Sequence, residues 1–240
     1  MNSGQSWSIT WEFSDDADKQ FSFFQSEVYY LDWDLTARSL TTLNLSNVGL
    51  SGDVPNGIDK LSNLENLILS RNKVTLIPTL ESNTKLKNLD LSYNSLKNYA
   101  HSFPNSLTDI KLNNNSINDD IANFLSKITV QSLETLDLSD NKFSGEIPSS
   151  LLSSSSLTSL NLAYNDLAGS LPTIRDGAWT KLDISNNQLT GNFPEALTKS
   201  ETSANAKCNL FSCERQVNFL NLLTFLICIA LIVQLFSFIC

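Results

Sequence analysis

The feature that most constrains this 240-residue chain is a nine-residue pattern, L-x-x-L-x-L-x-x-N, that returns at nearly constant spacing. Copies begin at Leu40, Leu64, Leu86, Leu107, Leu133, Leu157 and Trp179. Successive starts are 24, 22, 21, 26, 24 and 22 residues apart. Regular periods of this length are typical of solenoids, in which each repeat buries its apolar face against its neighbours. Seven copies in phase therefore predict one elongated repeat array.

Within each copy the L-x-L pair has the two-residue period of a β-strand, with the leucines inward and the residue between them outward. We predict seven short parallel strands, stacked about 4.8 Å apart. The Asn that ends the pattern carries donors and an acceptor, so it can satisfy backbone groups in its own and the next coil. The predicted asparagine ladder is Asn72, Asn94, Asn115, Asn141, Asn165 and Asn187. In the first copy Val48 replaces the Asn, so that coil is expected to lack these bonds.

Four copies continue into a second pattern, L/F-x-G-x-φ-P, at residues 50–55, 143–148, 167–172 and 189–194. With this continuation the sequence resembles the plant-type leucine-rich-repeat family over residues 40–194. The resemblance includes receptor-like protein ectodomains and polygalacturonase-inhibitor-like proteins. It implies an α/β repeat fold, a right-handed solenoid with a parallel concave sheet and a second short strand in each coil. It also implies recognition of a protein, peptide or glycan on the concave side.

The middle of the array departs from this pattern, because the copies beginning at Leu64, Leu86 and Leu107 lack the Gly. After the last of these, apolar residues recur at helical spacing and predict a short convex-side helix. Those residues are Ile121, Phe124, Leu125 and Ile128. We expect Asn118 to be the N-cap of this helix, followed by acidic residues in its first turn.

Four segments follow from these patterns: 1–39 as an aromatic-rich N-terminal cap, 40–194 as the array, 195–216 as a C-terminal cap and juxtamembrane segment, and 217–240 as a membrane segment. End coils need caps because they expose a core. Cys208 and Cys213 resemble the Cys-paired C-cap of extracellular family members, and the resemblance implies a disulfide there. Two free thiols are the alternative. The Cys pair that plant-type N-caps carry is absent from residues 1–39.

Residues 217–240 contain no charged residue, and 16 of the 24 are Leu, Ile, Val or Phe. As a helix they would extend about 36 Å, enough for a hydrocarbon core of about 30 Å. We predict one C-terminal transmembrane helix, with display at the cell surface favoured. The opening residues lack a signal-peptide pattern, which favours the alternative of a cytosol-facing tail anchor. A GPI-attachment signal is the third possibility, but cleavage after Ser203 would remove the predicted Cys-paired cap.

Outward-facing positions of the predicted sheet form the candidate binding face. The candidate ligand-binding residues are Arg71, Tyr93, Lys111, Asp137, Asp140 and Tyr164. Tyrosine gives a large contact at low entropic cost, which makes Tyr93 and Tyr164 candidates for binding. A merely solvated polar face is the alternative. Glycosylation sequons begin at Asn44 and Asn114 on the same face, and glycans there would limit it.

A formal net charge of −9 argues against nucleic acid as a partner. One His, no nucleophile elbow and no phosphate-binding loop predict no enzymatic activity, no cofactor and no metal site. The sequence therefore predicts a membrane-anchored recognition module that signals through a partner such as a co-receptor. An inhibitor of a secreted cell-wall hydrolase and a cytosolic tail-anchored scaffold remain as alternatives.

Overall fold

A computed structural model of the chain describes residues 40–54, 56–99, 102–174, 179–192, 204–207 and 209–211. The predicted N-terminal cap, Cys208, Cys213 and the apolar segment 217–240 lie outside these residues. Within them, no helix combines the length and the apolar character needed to cross a bilayer.

The concave side is a parallel sheet with one three-residue strand per coil and a shorter last strand. In spatial order its strands are β1 (Thr42–Asn44), β3 (Asn66–Ile68), β5 (Asn88–Asp90), β6 (Asp109–Lys111), β7 (Thr135–Asp137), β9 (Ser159–Asn161), β11 (Lys181–Asp183) and β13 (Ala204–Asn205). Equivalent residues of successive coils pair in register, as Leu43 does with Leu67 and Leu67 with Leu89. The inward leucines are fully buried in one continuous core.

The eighth strand, β13, carries the array beyond the seven predicted copies. Ala204 and Asn205 pair with Leu182 and Asp183 of β11, and Ala206 is buried behind them. Alanines thus occupy the positions that leucines hold in the other coils. The concave sheet therefore continues into the segment predicted as a C-terminal cap.

Two smaller parallel sheets lie beside the concave one and are built from the second pattern. The first pairs β2 (Ser51–Asp53) with β4 (Lys73–Leu76), and the second has β10 (Asp166–Ser170) between β8 (Ser144–Glu146) and β12 (Gln188–Thr190). Among the described residues, the coils that begin at Leu86 and Leu107 contribute no such strand. The departure of these coils from the plant-type pattern is therefore real, although β4 forms without the Gly.

The convex side carries the α-helices α1 (Ile121–Leu125) and α2 (Ser149–Leu152) and the 3-10 helices Asn56–Lys60 and Val130–Ser132. Helix α1 buries Ile121, Phe124 and Leu125, as the helical spacing predicted. The prediction of Asn118 as the N-cap, followed by acidic residues in the first turn, is wrong, because the helix begins one residue after Asp120. Asp120 has the extended backbone of a cap, and its carboxylate accepts from the backbone N–H groups of Ala122 and Asn123.

Aromatic rings fill the core where the middle coils lose the second pattern. The ring centroid of Phe124 lies 5.0 Å from that of Tyr99 and 5.4 Å from that of Phe143, in edge-to-face arrangements. Phe103 packs at 6.2 Å from the same ring. Such geometries are favourable for aromatic pairs and contribute beyond the area they bury. The irregular coils are thus packed by an aromatic cluster.

Candidate ligand-binding face

The asparagine ladder fixes the turn that follows each concave strand. In Asn72, Nδ2 donates to the carbonyls of Leu69 and Leu45, at 2.9 and 2.8 Å, while Oδ1 accepts from the N–H groups of Val48 and Leu50. Each amide therefore joins its own coil to the preceding coil. The prediction that the amide bonds to the next coil is wrong. The same carbonyl bonds recur at Asn94, Asn115, Asn141, Asn165 and Asn187.

The ladder has a further member, Asn209, which sequence reasoning missed. Its Nδ2 donates to Ile184 O at 2.9 Å, and its Oδ1 accepts from Leu189 N at 3.0 Å. The signal was present as an Asn at repeat spacing after Asn187, but Ala204 and Ala206 concealed the leucine pattern.

The residue before each ladder asparagine forms what we call the rim column: Asn47, Arg71, Tyr93, Asn114, Asp140, Tyr164 and Asn186. All seven have left-handed backbone, with φ between 53° and 58°. They were predicted as outward positions of the strands, but each strand ends three residues earlier, so they lie in the turn at its carboxyl end. Left-handed backbone suits Asn and Asp and is unfavourable for Tyr and Arg.

Two rim tyrosines are exposed large hydrophobic side chains at the edge of the concave sheet. Tyr93 is 45 % exposed and Tyr164 is 58 % exposed. The guanidinium of Arg71 lies over the Tyr93 ring, 4.7 Å from its centroid, in a cation–π contact. Three coils separate the tyrosines, which places them about 14 Å apart at a strand spacing of about 4.8 Å. This is a separation that one extended partner segment can bridge.

The acidic residues at the ends of three concave strands form hydrogen bonds within the sheet. In Asp90, Asp137 and Asp183, Oδ1 accepts from the backbone N–H and the hydroxyl of the Ser two residues later. Asp137 Oδ2 also accepts from Asn161 Nδ2 at 3.2 Å and lies 4.0 Å from Lys181 Nζ. Of the predicted ligand-binding residues, Asp137 is thus half-buried and held in place.

Lys111 and Asp140 are exposed beside this network. Lys111 pairs in register with Asp137, and Asp140 lies in the turn that follows Asp137. Partial burial, and then the negative charge of Asp137, raise the pKa of Asp140. The carboxylate of Asp140 is therefore held next to a like charge, an arrangement that a partner cation would relieve.

The two sequon asparagines differ in their surroundings. Asn44 is exposed, and its Oδ1 accepts from the backbone N–H and the hydroxyl of Ser46, at 3.1 and 2.7 Å. Asn114 is half-buried at the middle of the rim column, between Tyr93 and Asp140. Glycosylation at either position stays a prediction.

Stacked coils, one short parallel strand per repeat and an asparagine ladder together define a leucine-rich-repeat protein. Residues 39–61, 132–154 and 179–200 match the Leucine Rich Repeat family, and residues 153–170 match a second Leucine Rich repeat family. With the L/F-x-G-x-φ-P continuation and the relatives described next, the chain is a leucine-rich-repeat protein that is similar to plant-type members.

Relatives of known identity are similar to this chain over little more than half its length. Receptor-like protein 41 of Arabidopsis thaliana is 34 % identical over 145 residues, which cover 57 % of this chain and 16 % of that protein. Toll-like receptor 10 of Bos taurus is 34 % identical over 131 residues, covering 52 % of this chain and 16 % of the receptor. The chain thus spans about a sixth of the length of these curated relatives.

Solved structures show the same fold. The leucine-rich-repeat ectodomain of the membrane receptor kinase GASSHO1/SCHENGEN3 from Arabidopsis thaliana, in complex with CASPARIAN STRIP INTEGRITY FACTOR 2, aligns with a TM-score of 0.62 and 30 % identity. That alignment covers 76 % of this chain and 23 % of the ectodomain. The plant peptide hormone receptor RGFR1, in complex with RGF2, aligns with a TM-score of 0.57 and 27 % identity, covering 70 % and 28 %.

Proposed function

We propose that this chain is a receptor-like, non-catalytic recognition module that binds an extended peptide or protein segment along its rim column. The observation that carries the proposal is the exposure of Tyr93 and Tyr164, two large aromatic side chains in a rim column whose other members are polar. Arg71, Lys111 and Asp140 supply the charged contacts around them. Tyrosine and arginine are the side chains that most often dominate the binding energy of interfaces.

The sheet beneath the rim supports this role because its own groups are already bonded. Backbone N–H and carbonyl groups pair from coil to coil, and the carboxylates of Asp90, Asp137 and Asp183 are held by serines. A partner therefore meets side chains on a rigid frame, and little ordering is needed when it binds. Rigid frames of this kind favour affinity because less entropy is lost on association.

Relatives add support of a different kind. Two structures that align well with this chain are receptors whose complexes hold RGF2 and CASPARIAN STRIP INTEGRITY FACTOR 2, and the first is described as a peptide hormone receptor. On this analogy we assign a peptide or protein ligand to this chain rather than a glycan. Signalling would then pass through a partner protein such as a co-receptor.

Membrane attachment at the cell surface belongs to the same proposal, with residues 217–240 retained as a single-pass helix. Pairing of Ala204 and Asn205 with β11 supports retention. GPI attachment at Ser203 would remove β13 and Asn209 and so leave the Ile184 carbonyl without its amide donor.

The test is selection of binders from a random 12-residue peptide library displayed on phage, using the full chain in detergent micelles. Selected peptides are then titrated by fluorescence anisotropy against Arg71→Asn/Tyr93→Asn/Tyr164→Asn, because Asn already occupies other rim positions. Loss of hot-spot contacts of about 2 kcal/mol predicts an affinity at least roughly tenfold weaker. Ser150→Ala, in helix α2 on the convex side, is the control. A library without binders, or binders indifferent to the rim variant, would contradict the proposal.

A further inference from the structure

The order of side chains along the rim column has an internal symmetry. From the first coil to the seventh the column reads Asn47, Arg71, Tyr93, Asn114, Asp140, Tyr164 and Asn186. It consists of two triplets, each an asparagine, a charged residue and a tyrosine, followed by a closing asparagine. The charge is positive in the first triplet and negative in the second. Asn114 stands at the centre, with three rim residues on either side.

A two-fold axis through Asn114 would bring side chains of opposite charge in two copies of the chain face to face. Arg71 and Tyr93 lie two coils and one coil before Asn114, while Asp140 and Tyr164 lie one coil and two coils after it. In two copies related by that axis, the pair Arg71 and Tyr93 of one copy faces the pair Asp140 and Tyr164 of the other. The symmetry forms this contact two times. Equal coil spacing keeps the pairs in register along the column.

The curvature of the solenoid does not prevent this arrangement. If the axis runs radially through the fourth coil, rotation superposes the arc of the concave sheet on itself with its two ends exchanged. For an arc that lies in one plane, the same flank of each copy then faces the other. Isologous contacts of this kind present one surface twice, so each favourable pair is formed two times.

We propose that a second copy of this chain docks antiparallel on the rim column, about a two-fold axis at Asn114. The guanidinium of Arg71, held over Tyr93 at 4.7 Å, meets the exposed carboxylate of Asp140 of the second copy. The ring and hydroxyl of Tyr164 of the second copy lie opposite the same guanidinium. This goes beyond the proposed function and does not depend on it, although both use the same side chains.

The charge environment of Asp140 agrees with this docking. Burial and the nearby carboxylate of Asp137 raise the pKa of Asp140, and a guanidinium from a second copy would lower it again. Described ion pairs link Lys181 to Asp137, Lys87 to Glu65 and Lys127 to Asp119, so none of them engages Asp140.

Pairing is expected to be weak and reversible. Seven rim side chains per copy are fewer than the roughly 20–30 residues that each partner contributes to a standard interface. Arginine and tyrosine at the centre nevertheless give the contact the composition of a hot spot. Cross-linking that traps a short-lived contact at its axis is therefore more informative than measurement of mass alone.

The first experiment places a cysteine on the proposed axis. Full chain carrying Asn114→Cys, in detergent micelles, is oxidised and digested, and the peptide that joins the two substituted positions by a disulfide is quantified by mass spectrometry. Peptide mapping separates this link from any formed by the four native cysteines. Asn186→Cys is the matched control, since its backbone is equally left-handed but it lies three coils from the axis. We expect at least fivefold more homodimer link at 114 than at 186, and equal yields would overturn the proposal.

Charge reversal on the Asn114→Cys chain tests the pairing itself. Arg71→Asp and Asp140→Arg each place like charges face to face, and each should reduce the link at least fivefold. Both substitutions introduce residue types already found in the rim column, and urea unfolding of each variant checks that the fold is kept. Mixing the two variants should restore the link, because the aspartate introduced in one copy then faces the arginine introduced in the other. Retention of the link in either single variant, or no recovery on mixing, would overturn the two-fold docking.

Discussion

Asp120 occupies the space that a side chain at position 145 would need. A Cβ added to Gly145 would overlap the Asp120 carboxylate, which caps helix α1, and the backbone of Gly145 has φ +87°. Glycine in the second pattern therefore has two causes here, a left-handed backbone and close approach of the preceding coil. Gly169 repeats the relationship with the side chain of Glu146.

Gly145→Ala is predicted to destabilise the protein more than Gly49→Ala does. Gly49 has a similar φ of +80°, but its added Cβ would meet nothing within 4 Å. The control should therefore cost only the backbone strain, about 1–2 kcal/mol. Gly145→Ala adds displacement of the helix cap, worth about 1 kcal/mol more. Urea unfolding of the two variants measures the difference, and equal losses would show that Asp120 moves aside without cost.

Asn165→Ala is predicted to lower the free energy of unfolding by about 3 kcal/mol. The Asn165 amide is buried, donates to the carbonyls of Leu138 and Leu162, and accepts from Phe143 N. Truncation leaves buried backbone groups unpaired, at about 1–3 kcal/mol each before relaxation. Denaturant titration checks the value. Asn209→Ala, in the last described coil, is the comparison and should cost less, because that residue is less buried.

Much of this fold was predictable from leucine spacing, and particular residues show where that reasoning ended. Strands β1 to β11 of the concave sheet follow from period-two leucines, whereas β13 was missed because Ala204 and Ala206 give little apolar signal. The rim-column residues were predicted to lie on the strands because Tyr and Arg have no local preference for the left-handed backbone of the turn. The direction of the Asn72 bonds depends on which coil its amide faces, and spacing along the chain does not contain that information.

The sequence predicted which positions of the rim site are candidates, but not which of their side chains are held by hydrogen bonds between coils. Arg71, Tyr93, Lys111, Asp140 and Tyr164 are exposed, as outward positions should be. Sequence reasoning could not separate them from Asp137, whose bonds to Ser139 and Asn161 appear only when coils are stacked. Side-chain hydrogen bonding between coils thus decides which polar residues remain available to a partner.

At position 164, Asn is predicted to be tolerated better than Val. Tyr164 has φ 56° and is mostly exposed, so a replacement is judged chiefly by its backbone preference. Asn adopts left-handed backbone readily, whereas β-branched Val does so at a cost of about 1–2 kcal/mol. Thermal or urea unfolding should therefore rank Tyr164→Asn above Tyr164→Val by about that amount. The reverse order would mean that contacts of the ring, and not the backbone, set stability here.

The stability of the middle coils should depend on pH at both extremes through Tyr99 and Asp119. Burial raises the Asp119 pKa, but hydrogen bonds from Tyr99, Asn123 and the Asp120 N–H, with the charge of Lys127, outweigh it and hold the pKa below 3.8. Stability from ionised Asp119 is thus present above the unfolded pKa and is lost as pH falls through the folded one. Asp119→Asn should flatten the acid side of a plot of unfolding free energy against pH.

Tyr99 makes stability fall at high pH, whereas Asp119 makes it fall at low pH. Burial, and then its hydrogen bond to Asp119, raise the pKa of the Tyr99 hydroxyl far above the usual 10.0. The stability that the neutral Tyr99 hydroxyl provides is complete below pH 10. It declines as pH rises above that value, because Tyr99 then ionises easily only in the unfolded chain. Tyr99→Phe should remove this alkaline decline and leave the hydrophobic packing against Phe124. An unchanged alkaline limb would show that other groups control it.

Glycosylation of Asn114 is predicted to be incompatible with docking of a second copy. The sequon Asn114-Asn115-Ser116 lies at the proposed two-fold axis, where a glycan on each copy would hold the rims apart. An Asn47→Cys/Asn186→Cys chain, made in a glycosylating host, leaves this sequon intact and joins residues that face each other in the docked pair. Its cross-linked fraction should carry no glycan at Asn114, while the monomeric fraction carries any glycan that is added. Ser116→Ala, which removes the sequon without changing the rim column, should raise the cross-linked yield wherever the parent chain is modified. Glycosylated Asn114 in the cross-linked fraction, at the same occupancy as in the monomer, would contradict the axis.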